Sequence, residues 1–223
     1  MTAVVLAGGE VFASAQLRRL AGDASLVIAA DSGLRHARVL SLTPQLIVGD
    51  FDSLSPGDLQ AFPGVPQERH PVIKDRLDLE LAIEAALARG SDEIRVIGAI
   101  GSRFDQSLAA LLIAARFRRD GTSISLHTGR IDAYPLRGGD ELLLDLPPGM
   151  VFSLLGLALS STVSLSGARY PLDYAGLPFG VGLGLSNAAS APQTRVRLHS
   201  GLIAVVVERL ERESYGHREK ELE

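Results

Sequence analysis

The chain has 223 residues, of which 46% are hydrophobic and 22% charged, with a net charge of −4. This composition is ordinary for a globular protein with a substantial core. The acidic balance, without a Lys/Arg cluster, argues against nucleic acid as a partner. The chain has no cysteine, which excludes disulfides and thiolate metal sites. Because it shows neither a secretory signal pattern nor an apolar stretch of membrane-spanning length, we expect a cytoplasmic protein with no membrane partner.

The first part of the chain alternates short apolar runs with helical patterns. Strands are predicted at residues 3–6, 26–30, 46–48, 94–97 and 123–127, and helices between them, the first over residues 11–20. Continuous apolar strands that alternate with helices predict an α/β fold, in which a parallel sheet carries helices on both faces.

From about Asp132 the pattern changes to short apolar strands separated by Pro, Gly and Ser turns. Strands are predicted at 141–146, 151–159, 162–166, 194–199 and 202–208. The last two flank Ser200-Gly201 and are predicted to form a hairpin. Residues 175–185 are predicted to be a long loop. This half of the chain is therefore expected to be antiparallel β.

The motif Gly49-Asp50-Phe51-Asp52-Ser53-Leu54 follows the third predicted strand. In extended chain, Asp50 and Asp52 would point the same way, with Phe51 opposite. Two carboxylates about 4 Å apart repel by roughly 1 to 4 kcal/mol, so a fold that places them together usually supplies a cation. Oxygen ligands of this kind suit Mg²⁺. The alternative is a turn in which Asp52 or Ser53 caps a helix over residues 55–62.

Further polar and glycine residues follow other predicted strands. Ligands of parallel sheets bind outside the carboxyl ends of the strands. Gly8-Gly9, Asp31 and the Asp50/Asp52 pair follow three separate strands, so we expect them at one edge of the sheet. Asp75 or Asp78 would either favour the start of the next helix or, for Asp78, add another carboxylate to this edge.

The strand at 94–97 leads into a glycine turn at 98–105 and then a long helix. Such a turn can hold anionic groups through backbone N–H donors. Arg103 would add a cation and Asp105 an acceptor, although both could equally be surface charges. The helix carries an apolar stripe that we interpret as core, formed by Phe104, Leu108, Leu111, Leu112 and Ala115.

Taken together, these segments resemble the thiamine pyrophosphokinase family in their order and spacing. The matching segments are 30–33, 43–44, 49–54, 75–81 and 101–105, with 166–172, 185–187 and 200–201 resembling the family's β-domain. The resemblance implies an α/β nucleotide-binding catalytic domain at 1–130, a β-sandwich domain at 131–210 that binds thiamine and forms a homodimer, and a charged tail at 211–223. It also implies transfer of pyrophosphate from ATP to the hydroxyl of thiamine, giving thiamine diphosphate and AMP.

The resemblance also implies roles for individual residues. Asp31, Asp50, Asp52 and Asp78 would bind Mg²⁺ and orient the triphosphate, and Asp50, Asp52, Asp78 and Arg103 would be catalytic. The remaining ligand-binding positions would be Gly8, Gly9, Ser32, Asp75 and Asp105, with Ser186 and Asn187 reaching thiamine from the partner subunit. The chain has no G-x-x-x-x-G-K-[ST] loop, so metal held by carboxylates would neutralise the phosphates.

The chain departs from the usual family motifs at five positions. Leu77 stands where threonine is usual, Gln106 replaces histidine, Ser32 and Ser102 replace glycines, and Ala188 replaces an acid. These positions bear on substrate recognition, since a lost hydrogen-bond partner changes discrimination. Two alternatives therefore stay open: a pyrophosphokinase for another primary alcohol such as a hydroxymethyl-pterin, and a non-catalytic sensor of thiamine phosphates or nucleotides on the same fold.

Overall fold

The structure is a computed structural model that describes residues 1–72, 75–119 and 121–209. The charged tail predicted at 211–223 lies outside these residues. The helices, α1 to α5, are Ala15–Gly22, Leu34–Leu40, Pro56–Gln60, Asp78–Ala88 and Phe104–Phe117. The strands, β1 to β14, are Thr2–Leu6, Leu26–Ala30, Leu46–Gly49, Gln67–Arg69, Glu93–Ile97, Ser123–His127, Ile131–Arg137, Glu141–Asp145, Val151–Gly156, Ser160–Ser166, Leu172–Pro178, Asn187–Ala188, Gln193–Ser200 and Leu202–Glu208. They form a mixed α/β fold with one large sheet and a separate antiparallel sheet.

Strands β1 to β6 form the parallel part of the large sheet, in the order β6-β5-β1-β2-β3-β4. Strand β1 lies between β2 and β5 and pairs with both in parallel. Its apolar run is buried because helices cover both faces of the sheet. Ile83 of α4 and Ala114 of α5 pack on one face, and Leu17 of α1 and Ala37 of α2 pack on the other. The predicted parallel sheet is confirmed.

The large sheet continues beyond residue 130 instead of ending there. Strand β7 pairs antiparallel with β6, and β14 and β9 extend the sheet further. A separate four-stranded antiparallel sheet has the order β11-β10-β13-β8. Phe152 and Val205 of the large sheet share a core with Val163 and Val196 of the small one. The second half of the chain therefore packs one antiparallel sheet against an extension of the first sheet.

The hairpin predicted around Ser200-Gly201 is wrong. Strand β13 pairs with β8 and β10 in the small sheet, whereas β14 pairs with β7 and β9 in the large one. Gly201 lies at this corner with φ +90°, and a Cβ there would come 2.4 Å from the Ser161 Oγ. The glycine is therefore needed where the chain crosses between two sheets.

The apolar stripe predicted on α5 is confirmed only in part. Ala115 is buried, and Leu111 packs against the core. Phe104 is 77% exposed, and Leu108 and Leu112 are close to half exposed. Besides Ala115, the helix buries Ala110, Ala114 and Phe117. Alanines allow a close approach to the sheet, so the larger side chains are left on the outer side of the helix.

Several element boundaries also differ from the prediction. The strand predicted at 151–159 ends at Gly156. Residues 175–178 belong to β11, so the predicted loop begins later than expected. Helix α1 begins at Ala15, because the Ser14 side chain accepts a hydrogen bond from the Leu17 N–H. Among the described residues, no helix combines the length and apolarity that a membrane crossing requires.

Candidate active site

Asp31 lies at the carboxyl end of β2, in a turn where its φ is +44°. One of its carboxylate oxygens, Oδ2, accepts a hydrogen bond from the Ser53 hydroxyl. The other, Oδ1, is buried and has no hydrogen-bond partner among the described residues. An unsatisfied buried carboxylate oxygen is costly, and it marks a place where a cation would be stabilised.

The Asp50-Phe51-Asp52 segment follows β3 in a tight turn. Phe51 has φ +69°, so the left-handed turn, and not extended chain, directs both carboxylates to one side. The Phe51 ring is buried, and the Arg69 guanidinium lies 4.9 Å from its centroid. The Asp52 N–H donates to the Asp50 Oδ1 at 3.1 Å. Burial of the Phe51 ring therefore holds the strained backbone that sets the geometry of the two carboxylates.

The structure brings Asp31, Asp50 and Asp52 together. Each offers a carboxylate oxygen, and these oxygens all lie within 4.8 Å of one another. Asp78, the first residue of α4, lies outside this group of three but contributes charge to it. We name Asp31, Asp50 and Asp52 the carboxylate group.

Repulsion from neighbouring carboxylates affects the protonation of Asp52. The negative charge of Asp50 is the largest cause that raises the pKa of Asp52 above its usual range, followed by a hydrogen bond with Asp50. The charges of Asp31 and Asp78 act in the same direction. Carboxylates that oppose each other's ionisation are stabilised by a cation, and oxygen ligands suit Mg²⁺. The buried Oδ1 of Asp31 and this repulsion both fit a Mg²⁺ ion.

A cavity of about 370 Å³ lies beside the carboxylate group. Its walls come from the turn after β1, the turn after β2, the start of α4, the glycine turn after β5 and the first turns of α5. The lining residues are Ala7, Gly8, Gly9, Glu10, Ala30, Asp31, Ser32, Leu77, Asp78, Leu79, Gly98, Ala99, Gly101, Ser102, Arg103, Gln106, Ser107 and Ala110. The predicted positions Gly8, Gly9, Asp31, Ser32, Asp78 and Arg103 therefore meet at one cavity.

Close backbone approach explains one of the glycines in the cavity wall. The Gly9 N–H donates to the Gly98 carbonyl at 2.5 Å. A Cβ at Gly9 would come 2.6 Å from the same oxygen. Any side chain there would separate the two turns and change the shape of the cavity.

Four of the five departures from the usual family motifs also line the cavity: Ser32, Leu77, Ser102 and Gln106. Leu77 is half exposed and faces this cavity. These four departures therefore lie in the wall of one cavity, so any effects they have would concern the choice of the same ligand.

Arg103 and Asp105 form an exposed ion pair at the start of α5. The Arg103 Nε and Nη2 donate to the two carboxylate oxygens of Asp105 at 2.9 and 2.6 Å. The hydrogen bond from Arg103 is the main reason why the pKa of Asp105 falls to about 2. Arg103 lines the cavity, whereas Asp75 lines a second cavity with Glu84 and Arg116.

Ser186 and Asn187 do not line the cavity of their own chain. Ser186 is exposed, with φ +54°. Asn187 is buried, and its amide bonds to both the N–H and the carbonyl of Tyr170, at 3.1 and 2.8 Å. These two hydrogen bonds connect the Asn187 side chain to the backbone of Tyr170.

The alternative interpretation of the motif predicted a helix cap at Asp52 or Ser53, and this choice of residue is wrong. Helix α3 is capped by Ser55, whose side chain accepts from the Asp58 N–H, while the Asp58 carboxylate accepts from the Ser55 N–H. Asp52 and Ser53 precede this cap. Glu10 and Ser107 line the cavity but were not predicted. Ser107 follows Arg103 by one helical turn, and this spacing is visible in the sequence. In the structure, the Ser107 hydroxyl accepts a hydrogen bond from the Gly101 N–H at 3.0 Å.

The fold and the site define a mixed α/β protein whose carboxylate group and cavity lie at the carboxyl edge of parallel strands. Residues 17–126 match the family model described as thiamin pyrophosphokinase, catalytic domain. The match includes Asp31, Asp50, Asp52, Asp78 and Arg103. By this match, residues 17–126 belong to the thiamin pyrophosphokinase catalytic-domain family.

Solved structures of thiamin pyrophosphokinases share the fold of most of the chain. The Bacillus subtilis protein has a TM-score of 0.82 at 22% identity, covering 93% of this chain and 99% of that chain. The Geobacillus thermodenitrificans protein has a TM-score of 0.80 at 21% identity, covering 96% and 99%. The Candida albicans protein has a TM-score of 0.77 at 16% identity, covering 94% and 89%. A search of curated proteins returned no match.

Proposed function

We propose that this chain is an ATP-dependent thiamine pyrophosphokinase, which transfers pyrophosphate from ATP to the hydroxyl of thiamine and forms thiamine diphosphate and AMP. One observation carries the proposal: the carboxylate group, with the buried Oδ1 of Asp31 unpaired among the described residues, lies beside the glycine-lined cavity of a thiamin pyrophosphokinase fold.

In this proposal, the residues of the cavity bind and orient the triphosphate. Gly8, Gly9, Gly98 and Gly101 place no side chain in the cavity, so phosphate groups could approach the backbone of both turns closely. The guanidinium of Arg103 adds positive charge at the rim. Asp31, Asp50 and Asp52 would hold Mg²⁺, with Asp78 close by. When bound, the ion would supply charge neutralisation to the phosphates.

The reaction is a displacement at the β-phosphorus of ATP. The thiamine hydroxyl oxygen forms a bond to this phosphorus, and the bond from phosphorus to the oxygen bridging the α- and β-phosphates breaks, releasing AMP. The hydroxyl proton leaves to solvent or to a carboxylate. Catalysis by the chain is therefore mainly positioning of the two substrates in line and electrostatic stabilisation.

We further propose the domain roles and the homodimer. Residues 1–130 would catalyse the reaction, and residues 131–210 would bind thiamine and pair two subunits. Two exposed apolar surfaces support this. One is the outer side of α5, with Phe104, Leu108 and Leu112, which begins at the cavity rim. The other, formed by Phe179, Val181, Leu183 and Leu185, directly precedes Ser186.

Clustered exposed apolar side chains mark interaction surfaces. If the apolar segment before Ser186 covers the outer side of α5 in a second copy, Ser186 comes to the rim of the partner's cavity. This arrangement would bring the β-half of one subunit to the active site of the other.

A second candidate function is a pyrophosphokinase for a different primary alcohol. The concentration of Ser32, Leu77, Ser102 and Gln106 in the cavity wall favours it. Changes that alter hydrogen bonding in one site act on the same ligand.

One assay tests both candidates and the sensor alternative. The full chain is incubated with ATP, Mg²⁺ and either thiamine or a panel of alcohols that includes a hydroxymethyl-pterin, and AMP and pyrophosphorylated product are measured by chromatography. Saturable AMP formation that needs thiamine and stops on chelation with EDTA supports the proposal. Saturable AMP formation with another alcohol supports the second candidate. No AMP with any alcohol contradicts both and favours the sensor.

A further inference from the structure

We propose that Ser53 is a positioning residue, whose hydroxyl orients the Asp31 carboxylate so that its buried oxygen faces the cation site. The hydroxyl donates to the Asp31 Oδ2, and Oδ1 is left without a partner among the described residues. The terminal torsion of an aspartate is soft, so an anchor on one oxygen decides where the other oxygen points. The inference rests on the proposed function only for the role of the cation in pyrophosphate transfer.

The loop that carries Ser53 is anchored to the segment that carries Asp31. Arg35 of α2 follows Asp31 by four residues, and its Nη2 donates to the Ser53 carbonyl at 2.7 Å. The Arg35 Nε and Nη2 also donate to the Asp58 Oδ2, at 3.2 and 3.1 Å. One guanidinium therefore holds Ser53 at a defined position relative to Asp31.

The Asp58 carboxylate, which accepts hydrogen bonds from the Arg35 guanidinium, stays charged over a wide pH range. Hydrogen bonds from Ser55 and then from Arg35 lower the pKa of Asp58 to about 2. A planar guanidinium that binds a carboxylate and a carbonyl together gives more geometric definition than a single contact. The position of Ser53 is therefore set before any ligand binds.

The backbone around Asp31 limits how its side chain can respond. The residue is in the left-handed region, and a Cβ at the neighbouring Gly49 would come 3.1 Å from the Asp31 Cβ. The backbone therefore sets the Cα–Cβ direction, and Ser53 sets the remaining rotation of the carboxylate. Residues that hydrogen-bond to a metal ligand and orient it typically contribute about 10–100-fold to metal affinity.

Metal binding separates this role from a general effect on loop stability. The full chain is titrated with Mn²⁺ alone, as a probe for Mg²⁺, and free Mn²⁺ is measured by electron paramagnetic resonance. We expect Ser53→Ala to weaken Mn²⁺ binding by about tenfold, the lower end of that range. Ser53→Thr keeps the hydroxyl and should restore most of the affinity.

Ser14→Ala is the matched control, because it removes a helix-cap hydroxyl that bonds to the Leu17 N–H and not to Asp31, outside the cavity lining. It should lower the melting temperature through the lost helix cap, while Mn²⁺ affinity stays close to wild type. If Ser53→Ala binds Mn²⁺ as wild type does, or if Ser14→Ala weakens binding equally, the positioning role is wrong.

Steady-state kinetics provide a second measurement. With Ser53→Ala, the Mg²⁺ concentration for half-maximal rate should rise by a similar factor, while kcat recovers at high Mg²⁺. A lower kcat with an unchanged Mg²⁺ requirement would contradict the inference. Failure of the proposed function can be distinguished from failure of this inference. If only the proposed function fails, the wild-type protein forms no AMP, while the Mn²⁺ affinities of the variants still differ as described.

Discussion

Asp31→Asn tests the charge of the carboxylate group with little change of shape. Asparagine tolerates the left-handed backbone that Asp31 adopts at φ +44° better than most residues do. Its side-chain oxygen can still accept the hydrogen bond from Ser53. The variant therefore removes one negative charge and places an amide next to Asp50.

The expected gain in stability follows from the distance between the charges. The ligand oxygens of Asp31 and Asp50 lie within 4.8 Å. Two unit charges at that separation repel by roughly 0.9 kcal/mol in water, and by about 3.5 kcal/mol at an effective dielectric constant of 20. Because Asp52 is exposed and Asp31 and Asp50 are only partly buried as residues, we use the lower value. About 1 kcal/mol corresponds to about 2–4 °C in the melting temperature of a chain of this size.

The assay is thermal unfolding with EDTA and with excess Mg²⁺. In EDTA, Asp31→Asn should melt about 2–4 °C above wild type, since repulsion is relieved. In Mg²⁺, wild type should gain stability by mass action, and the variant should gain much less because a ligand is lost. Turnover of the variant should fall by at least roughly tenfold.

Asp145→Asn is the control, because it makes the same change of charge on an exposed residue at the end of β8, away from the cavity. It should melt as wild type does under both conditions. If Asp31→Asn is no more stable than wild type in EDTA and gains the same stability from Mg²⁺, the carboxylate group neither repels nor binds the cation, and the reasoning is refuted.

Three further predictions concern activity, ligand choice and assembly. Asp50→Asn and Asp52→Asn should each leave folding intact, measured by circular dichroism, but lower turnover by at least roughly tenfold, about 1.4 kcal/mol of barrier; activity close to wild type would remove the motif from the mechanism. Leu77→Thr should leave the melting temperature nearly unchanged, because Leu77 is half exposed at the cavity, and should raise kcat/KM for thiamine by about 2- to 12-fold if a new hydroxyl contributes one hydrogen bond; a large loss of stability would show that packing dominates. Leu108→Asp should shift the chain towards a monomer in sedimentation velocity, because a charge on the outer side of α5 opposes burial in a dimer. Leu143→Asp on β8 is the matched control. An unchanged dimer with Leu108→Asp would place the interface elsewhere.

The sequence predicted the parallel layer well because its signals are local. Continuous apolar runs such as Leu26–Ala30 can only be buried on both faces, and this property alone indicates a strand covered by helices. The edge at which Asp31, Asp50 and Asp52 meet follows from the same argument, since parallel strands place their carboxyl ends together. The turn at Phe51 was not predictable in this way, because its left-handed backbone depends on burial of the ring beneath Arg69.

The β-half was predicted less well because its pairing is not local. Strands β13 and β14 are adjacent in the sequence, yet they belong to different sheets. A glycine corner and a hairpin turn look alike in a sequence, and the nearby Ser161, which excludes a side chain at Gly201, is 40 residues away in the chain.

The sequence by itself determined the α/β class, the strand ends that carry the acidic residues and the resemblance of the motifs, because each depends on residue types at short spacing. Only the tertiary structure decided which oxygen of Asp31 is buried without a hydrogen-bond partner among the described residues, that the Ser53 hydroxyl donates to the other oxygen, and that Ser32, Leu77, Ser102 and Gln106 share one cavity. These relations join segments that are distant in the chain, and only the packing of the complete fold sets the distances between them.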